Sequence, residues 1–295
     1  DPMCGGLVSN FYKAGTIVSD GSAPESPPNI YRYSRCATCL EGGTQLDIFH
    51  APVQEAYMGL VMRTSPVFRG FTSLSNKIAL PTTNISNSVF SIYGQPGSGQ
   101  FQLVWNHQNA GAVNNCHLST NLIAGGTVSN GSTVFGDCPG GLNYFPNVGS
   151  GAFSIGQWHY LEWCGKTSSS FTSRDGIYKW FLDGRLIGNY PNVNTGSYFT
   201  ANHITPTWDG QGTAWGAESW WDIDRWVIAQ LPAGGCASMA GGGVVNVPPP
   251  SPPPSTSQWP NEPSGATVLL DCAFSHPTCN GQLQDPYNTA GTLPT

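Results

Sequence analysis

Charge is what this chain lacks most. Only 9% of its 295 residues are Asp, Glu, Lys or Arg. The formal net charge is −6 and no basic stripe runs along the sequence, which excludes a nucleic-acid partner because nothing is there to neutralise phosphates. No apolar run approaches the roughly 20 residues that a helical membrane span needs, and no window of helical length escapes interruption by Gly, Pro or β-formers. No signal peptide is visible at the start, so the sequence either begins after a cleavage or belongs to the cytosol. A Ser-His-Asp signature, a nucleotide loop, a haem motif and a second CxxC are all missing.

What is abundant instead is Gly, Pro, Ser, Thr and Asn, with aromatic residues at 12%. That mixture favours short strands joined by many tight turns. Nine cysteines favour an oxidising compartment, so the expected location is extracellular. Cys272 and Cys279 close a small loop in the tail, and Cys116 and Cys138 bracket a Gly/Ser/Asn-rich excursion, so these are the expected pairs. Cys36-Ala-Thr-Cys39 has the spacing of half a redox or zinc site but reads better as a structural bridge or as two cysteines with separate partners. Asn84-Ile85-Ser86 and Asn130-Gly131-Ser132 are glycosylation sequons.

The chain is organised around QWHYLEWCGKTSSSFTSRDGIYKWFLDGRLIG, residues 157–188. In the first aromatic run Trp158, Tyr160 and Glu162 oppose His159, Leu161 and Trp163. In the second, Tyr178, Trp180 and Leu182 oppose Ile177, Lys179 and Phe181. Asp183-Gly184 has the composition of a hairpin turn. Large residues on both faces predict a strand pair at the centre of a sandwich, one side against the core and the other in a groove. Further strands are expected at Ala56–Arg63, Lys77–Leu80, Ser88–Tyr93, Phe101–Trp105, Tyr198–Thr205 and Trp220–Ala229. Tyr31–Cys39 reads as irregular, and residues 106–154 read as long loops with an edge strand.

These motifs resemble a known family. The Trp-His pair, the polar loop and D-G-x-x-x-W-x-x-D-G at 175–184 are similar to the central hairpin of concanavalin A-like, laminin-G-like jelly rolls, in the branch of bacterial secreted domains related to polysaccharide lyases. SDGSAPESPPN at 19–29, NKI at 76–78, and PTWDG followed by WWDIDRWVIA at 206–229 agree in order. The resemblance spans roughly residues 16 to 230. It implies an all-β, concanavalin A-like jelly-roll β-sandwich over residues 1–240.

Lyases on this fold place Arg, Gln or Asn, His and Tyr on a concave sheet to neutralise a uronate carboxylate and move the α-proton. By resemblance the candidates here are Arg63, Lys77, His107, Gln108, His159, Tyr178 and Lys179. The chain departs from the lyase pattern, having no RxELR-like strand, no Gln-x-His pair and no Tyr-x-Lys-x-Gly-x-Tyr strand. His159 fits the structural hairpin without a catalytic role. Asp222 and Asp224 share a strand face; they solvate an outer strand, bind Arg225 of a neighbour, or with Asp209 and loop carbonyls hold a structural calcium. No other cofactor is expected. Trp208, Trp215 and Trp220, in a glycine-rich stretch, are the candidates for stacking on sugar faces.

At Gly241 the character changes. Residues 241–258, GGGVVNVPPPSPPPSTSQ, form a linker that is flexible first and polyproline-like after. Residues 259–295 carry one good strand, Ala266–Phe274, whose Val268, Leu269, Leu270 and Phe274 need a groove to bury them. One strand cannot bury a core alone. It folds back on its own sandwich, begins a further domain, or is donated to the next molecule by β-augmentation. The stiff spacer favours donation. The leading expectation is therefore a non-catalytic extracellular module that assembles head to tail as a fibre or matrix subunit. A lectin-like glycan-binding module and a polysaccharide lyase acting on an acidic glycan are the alternatives. Thiol titration of denatured, unreduced protein is expected to find at most one or two free groups; six or more would undo the assignment to an oxidising compartment.

Overall fold

The hairpin at the centre forms because Asp183 and Gly184 adopt positive φ, 51° and 77°, which gives the turn the twist that antiparallel strands follow. Asp183 is held there from outside the turn. Its backbone N–H donates to the Tyr160 carbonyl, and its carboxylate accepts the Tyr160 N–H at 3.0 Å and faces the His159 ring at 2.9 Å.

The computed structural model describes residues 15–25, 28–35, 37, 41–43, 46–70, 75–83, 87–93, 101–108, 142–144, 146–170, 173, 175–193, 195–204, 207–209, 218–240 and 265–273, in several strands by backbone alone. In chain order the elements are β1 (Thr16–Ser19), β2 (Asn29–Arg35), β3 (Glu41–Gly43), β4 (Leu46–Val53), β5 (Glu55–Thr64), β6 (Ser75–Thr83), β7 (Asn87–Tyr93), β8 (Phe101–Gln108) and β9 (Leu142–Tyr144). There follow β10 (Ala152–Phe153), β11 (His159–Lys166), β12 (Gly176–Leu182), β13 (Arg185–Val193), β14 (Phe199–Ile204), β15 (Thr207–Asp209), β16 (Ser219–Gln230), one helical turn α1 (Gly235–Ser238), and β17 (Thr267–Ala273). An eight-stranded sheet runs β1-β2-β16-β5-β11-β12-β13 with β17 also on β16. A seven-stranded sheet runs β10-β8-β7-β6-β14-β4 with β9 also on β8. All pairings are antiparallel, and the architecture is an all-β, jelly-roll β-sandwich. A short ribbon of β3 and β15 lies apart from both sheets.

The alternation expected in the hairpin holds. Leu161, Trp163, Tyr178, Trp180 and Leu182 enter the core between the sheets with Trp221 and Trp226. Trp180 stacks on Tyr190 at 5.3 Å and crosses the strand over Gly188, where a Cβ would strike the indole. Removing side chains of this size from water is worth about 4 kcal/mol each at 25 cal/mol per Å².

Two expectations change. Residues 31–35 belong to β2, because Tyr31 and Tyr33 alternate into the core while Arg32 finds a carboxylate on β16. The far face of the central hairpin is no groove. Tyr57, Val61, Cys164, Phe181, Val227 and Ala229 form a second cluster there, under a cover of Leu231, Cys236 and Met239. In the single chain the tail strand pairs with its own β16. β2 pairs with β16 only over Ser219–Ile223, and β17 pairs over Arg225–Gln230. It thereby meets the N–H and C=O groups that β2 leaves open.

The cover over residues 231–240 is fixed by three kinds of contact. Glu55, buried, accepts the Gly234 and Cys236 N–H groups at 2.7 and 2.9 Å. Lys179 donates to the carbonyls of Ala237 and Met239 at 2.6 and 2.8 Å, and burial pulls its pKa down. Cys164 and Cys236 form a disulfide across 72 residues. Of the expected pairs, Cys116, Cys138 and Cys279 lie outside the described residues, and for Cys272 the structure gives only the backbone, opposite Trp226. A Cys164→Ala/Cys236→Ala variant is expected to lose about 2–4 kcal/mol of stability, read as a lowered urea midpoint; an unchanged midpoint would show the bridge to be energetically idle.

Candidate functional site

Arg63, Asp222, Asp224 and Trp220 gather at one end of the outer face of the eight-stranded sheet. Charged residues inside apolar strands must find partners there, because an unpaired ion in such a place costs several kcal/mol. Asp222, fully buried, takes Arg32 on both oxygens at 2.6 and 2.8 Å and Arg63 at 2.6 Å. Arg63 also reaches Asp20 and donates to the Ser22 hydroxyl at 3.0 Å. The two guanidiniums lie 4.4 and 4.8 Å from the ring centre of Trp220, and Arg63 lies 4.5 Å from that of Trp158. The bond to Asp222 pushes the Arg32 pKa up. Burial pushes the Asp20 carboxyl up, but hydrogen bonds from Ser22 and Arg63 outweigh it and leave its pKa lowered.

A β-bulge after Ile223 sets Asp224 and Arg225 to meet the same loop. Asp224 accepts the Glu25 N–H at 2.6 Å, Arg225 pairs with the Glu25 carboxylate at 3.3 Å, and the Tyr160 hydroxyl donates to Glu25 at 2.5 Å. Burial, then the bond to Glu25, raises the Tyr160 pKa. The cluster therefore straps residues 20–25 to the sheet. Arg63 and Trp220, candidates from sequence, both take part in this cluster. The binding alternative for Asp222 is met by Arg32 and Arg63 rather than by Arg225. No group of three or more His, Cys, Asp or Glu among the described residues is arranged to hold a metal ion.

The other candidates scatter. His159 faces Asp183 through Nδ1 and the Ser154 carbonyl through Nε2, both at 2.9 Å, so its ring serves the hairpin. Tyr178 is buried between the sheets, and Lys179 holds the cover. Trp208 and Asp209 are placed by backbone in β15, opposite Gly42 and Glu41; Trp215 lies outside the described residues. Leu269 packs against the inter-sheet core while Val268 is half exposed; Leu270 is placed by backbone, opposite Ile228, and Phe274 lies outside the described residues.

A different surface is open. On β4, β14 and β6 the residues opposite one another include Phe49 and Ala201, then Ala201 and Thr82, then His203 and Leu80. Ile48 and Ile204 go to the core, so Phe49 and His203 turn to the outer face of the seven-stranded sheet. Phe49 is 62% exposed. Its ring stands edge-on to His203, 6.0 Å between centres at 80°, and His203 Nε2 lies 3.0 Å from the Thr82 hydroxyl. Lys77 and Ser91 pair across β6 and β7 further along the same sheet. His107 and Gln108, on β8, are placed opposite Ser88 and Asn87, so with Lys77 this sheet carries three of the sequence candidates.

At its edge His50 donates from Nδ1 to the Ala51 carbonyl at 2.8 Å and accepts from Asn202 at 3.1 Å. Burial lowers its pKa, which suits the neutral ring this pattern requires. Phe49 and His203 were not singled out from sequence. An exposed aromatic inside the mixed run DIFHAPV was the available signal.

No family model matches the chain, and no curated protein matches it. Among solved structures it is similar to the cellulose-induced protein Cip1, at 12% identity and a TM-score of 0.41, over 76% of this chain and 90% of that one. It is similar to the alginate lyase vAL-1 from Chlorella virus, at 10% identity and 0.44, over 75% and 90%. A third is the alginate lyase from Klebsiella pneumoniae, at 6% and 0.40, over 70% and 82%. At these identities and scores neither activity nor ligand carries over.

Replacing Asp222 by Asn should leave two guanidiniums short of a counter-charge and cost about 3–5 kcal/mol. Equilibrium unfolding checks this; a loss below about 1 kcal/mol, the range of exposed pairs, would place the cluster at the surface.

Proposed function

We propose that the protein is an extracellular, non-catalytic β-sandwich that binds glycan chains on the outer face of its seven-stranded sheet. The observation that carries this reading is the exposed Phe49 ring beside the His203–Thr82 pair. A flat apolar ring offers a stacking surface to the C–H face of a sugar, and the neighbouring imidazole and hydroxyl exchange hydrogen bonds with its rim. The surface lies on regular strands, so the contact is pre-positioned and little side-chain ordering opposes binding. The Cys164–Cys236 disulfide supports an oxidising compartment.

Binding is tested with immobilised neutral and uronate-containing oligosaccharides, followed by calorimetry on those retained. Phe49→Ala is expected to weaken binding about ten-fold, the worth of roughly 1.5 kcal/mol of aromatic contact, without moving the unfolding midpoint. No retention, or equal affinity in the variant, would sink the reading. An ultraviolet rise from unsaturated product, abolished by His203→Ala, would make the protein a lyase instead.

A further inference from the structure

Among the described residues the strand β17 has one neighbour, β16. Thr267 lies opposite Gln230 and Ala273 opposite Arg225. Val268 is 50% exposed, and Leu269 is only partly buried against the core. A strand paired along one side and exposed at Val268 detaches at lower cost than strands paired on both sides.

The chain leading to it is far longer than its ends require. Ala266 packs against the same outer cluster that contains Leu231 and Met239, so the chain leaves and returns over one patch. Between Ala240 and Gly265 the sequence provides 24 residues, among them PPPSPPP at 248–254. At about 3.1 Å per residue the seven-residue proline run in a polyproline conformation would span roughly 22 Å, with the glycine-rich part before it adding flexible reach. A stiff spacer whose ends must come together lowers the effective concentration of its own strand at its own edge, and a strand from another molecule then competes.

We propose that β17 exchanges between copies of this chain: the β16 edge at Arg225–Gln230 accepts either its own tail strand or that of a second copy in the same register. Every hydrogen bond and contact is the same in both arrangements, so the linker and the protein concentration decide between them. This inference does not depend on the glycan reading, since β17 lies on the opposite sheet from Phe49.

The test places cysteines at the exposed end of the ladder, in Gln230→Cys/Thr267→Cys of the full chain, and oxidises the protein over a range of concentrations. Exchange predicts a covalent dimer or longer chain on non-reducing gels, with a fraction that rises with concentration. Replacing the six prolines of residues 248–254 by Gly and Ser should lower that fraction several-fold. Neither single-cysteine variant should give it, which separates exchange from chance collision. A cross-link confined to single chains at every concentration, with mass measurements showing monomer throughout, would overturn the proposal. So would an interchain fraction that ignores the linker substitutions.

Discussion

The structure depends on the hydrogen-bonding demand of one strand. β16 is twelve residues long, and its backbone must be satisfied on two sides. β5 meets one side along nearly its whole length. On the other side no single strand does so: β2 ends at Ile223 and β17 begins at Arg225. The bulge sits at that junction, turns the ladder, and brings Asp224 and Arg225 to the Glu25 loop. The N-terminal strands, the tail strand and the ionic strap thus converge on one short stretch.

That convergence accounts for the use of charge in so charge-poor a chain. The acidic and basic groups around β16 are not spread for solubility. Asp20, Arg32, Arg63 and Asp222 satisfy one another under two indole rings. A buried ionic cluster of this kind adds little net stability compared with apolar packing, but it penalises any register that separates its members. It therefore selects the pairing of β2 and β5 on β16 among the slips that runs of Tyr, Trp and Val would tolerate.

The fold was legible where the signal was local. Alternation in HYLEW and IYKWFL set the two faces of the hairpin, and Asp183-Gly184 set its turn. It was illegible where meaning came from distance. Tyr31–Arg35 looked irregular because the partner that neutralises Arg32 lies 190 residues away. Cys164 gave no spacing clue to Cys236. The open face on the seven-stranded sheet was missed for the same reason: Phe49, Thr82 and His203 come from three separate segments, and each reads locally as an ordinary strand residue. Arg63 and Trp220 were singled out as chemically conspicuous, yet conspicuous residues in apolar strands are those most in need of a partner.

The disulfide also sets how the molecule would carry a mechanical load. A pull between the N-terminal strands and the tail enters the covalent path at Cys164 and leaves it at Cys236. Once β17 has let go, the loop between them, including the β12–β13 hairpin, β14 and all of β16, is bypassed and bears no backbone tension. With the N-terminal part of the sandwich intact, the first element to yield would be β17, sheared or peeled from β16. Such a molecule gives up its tail strand and takes up the slack of its linker before it surrenders its core.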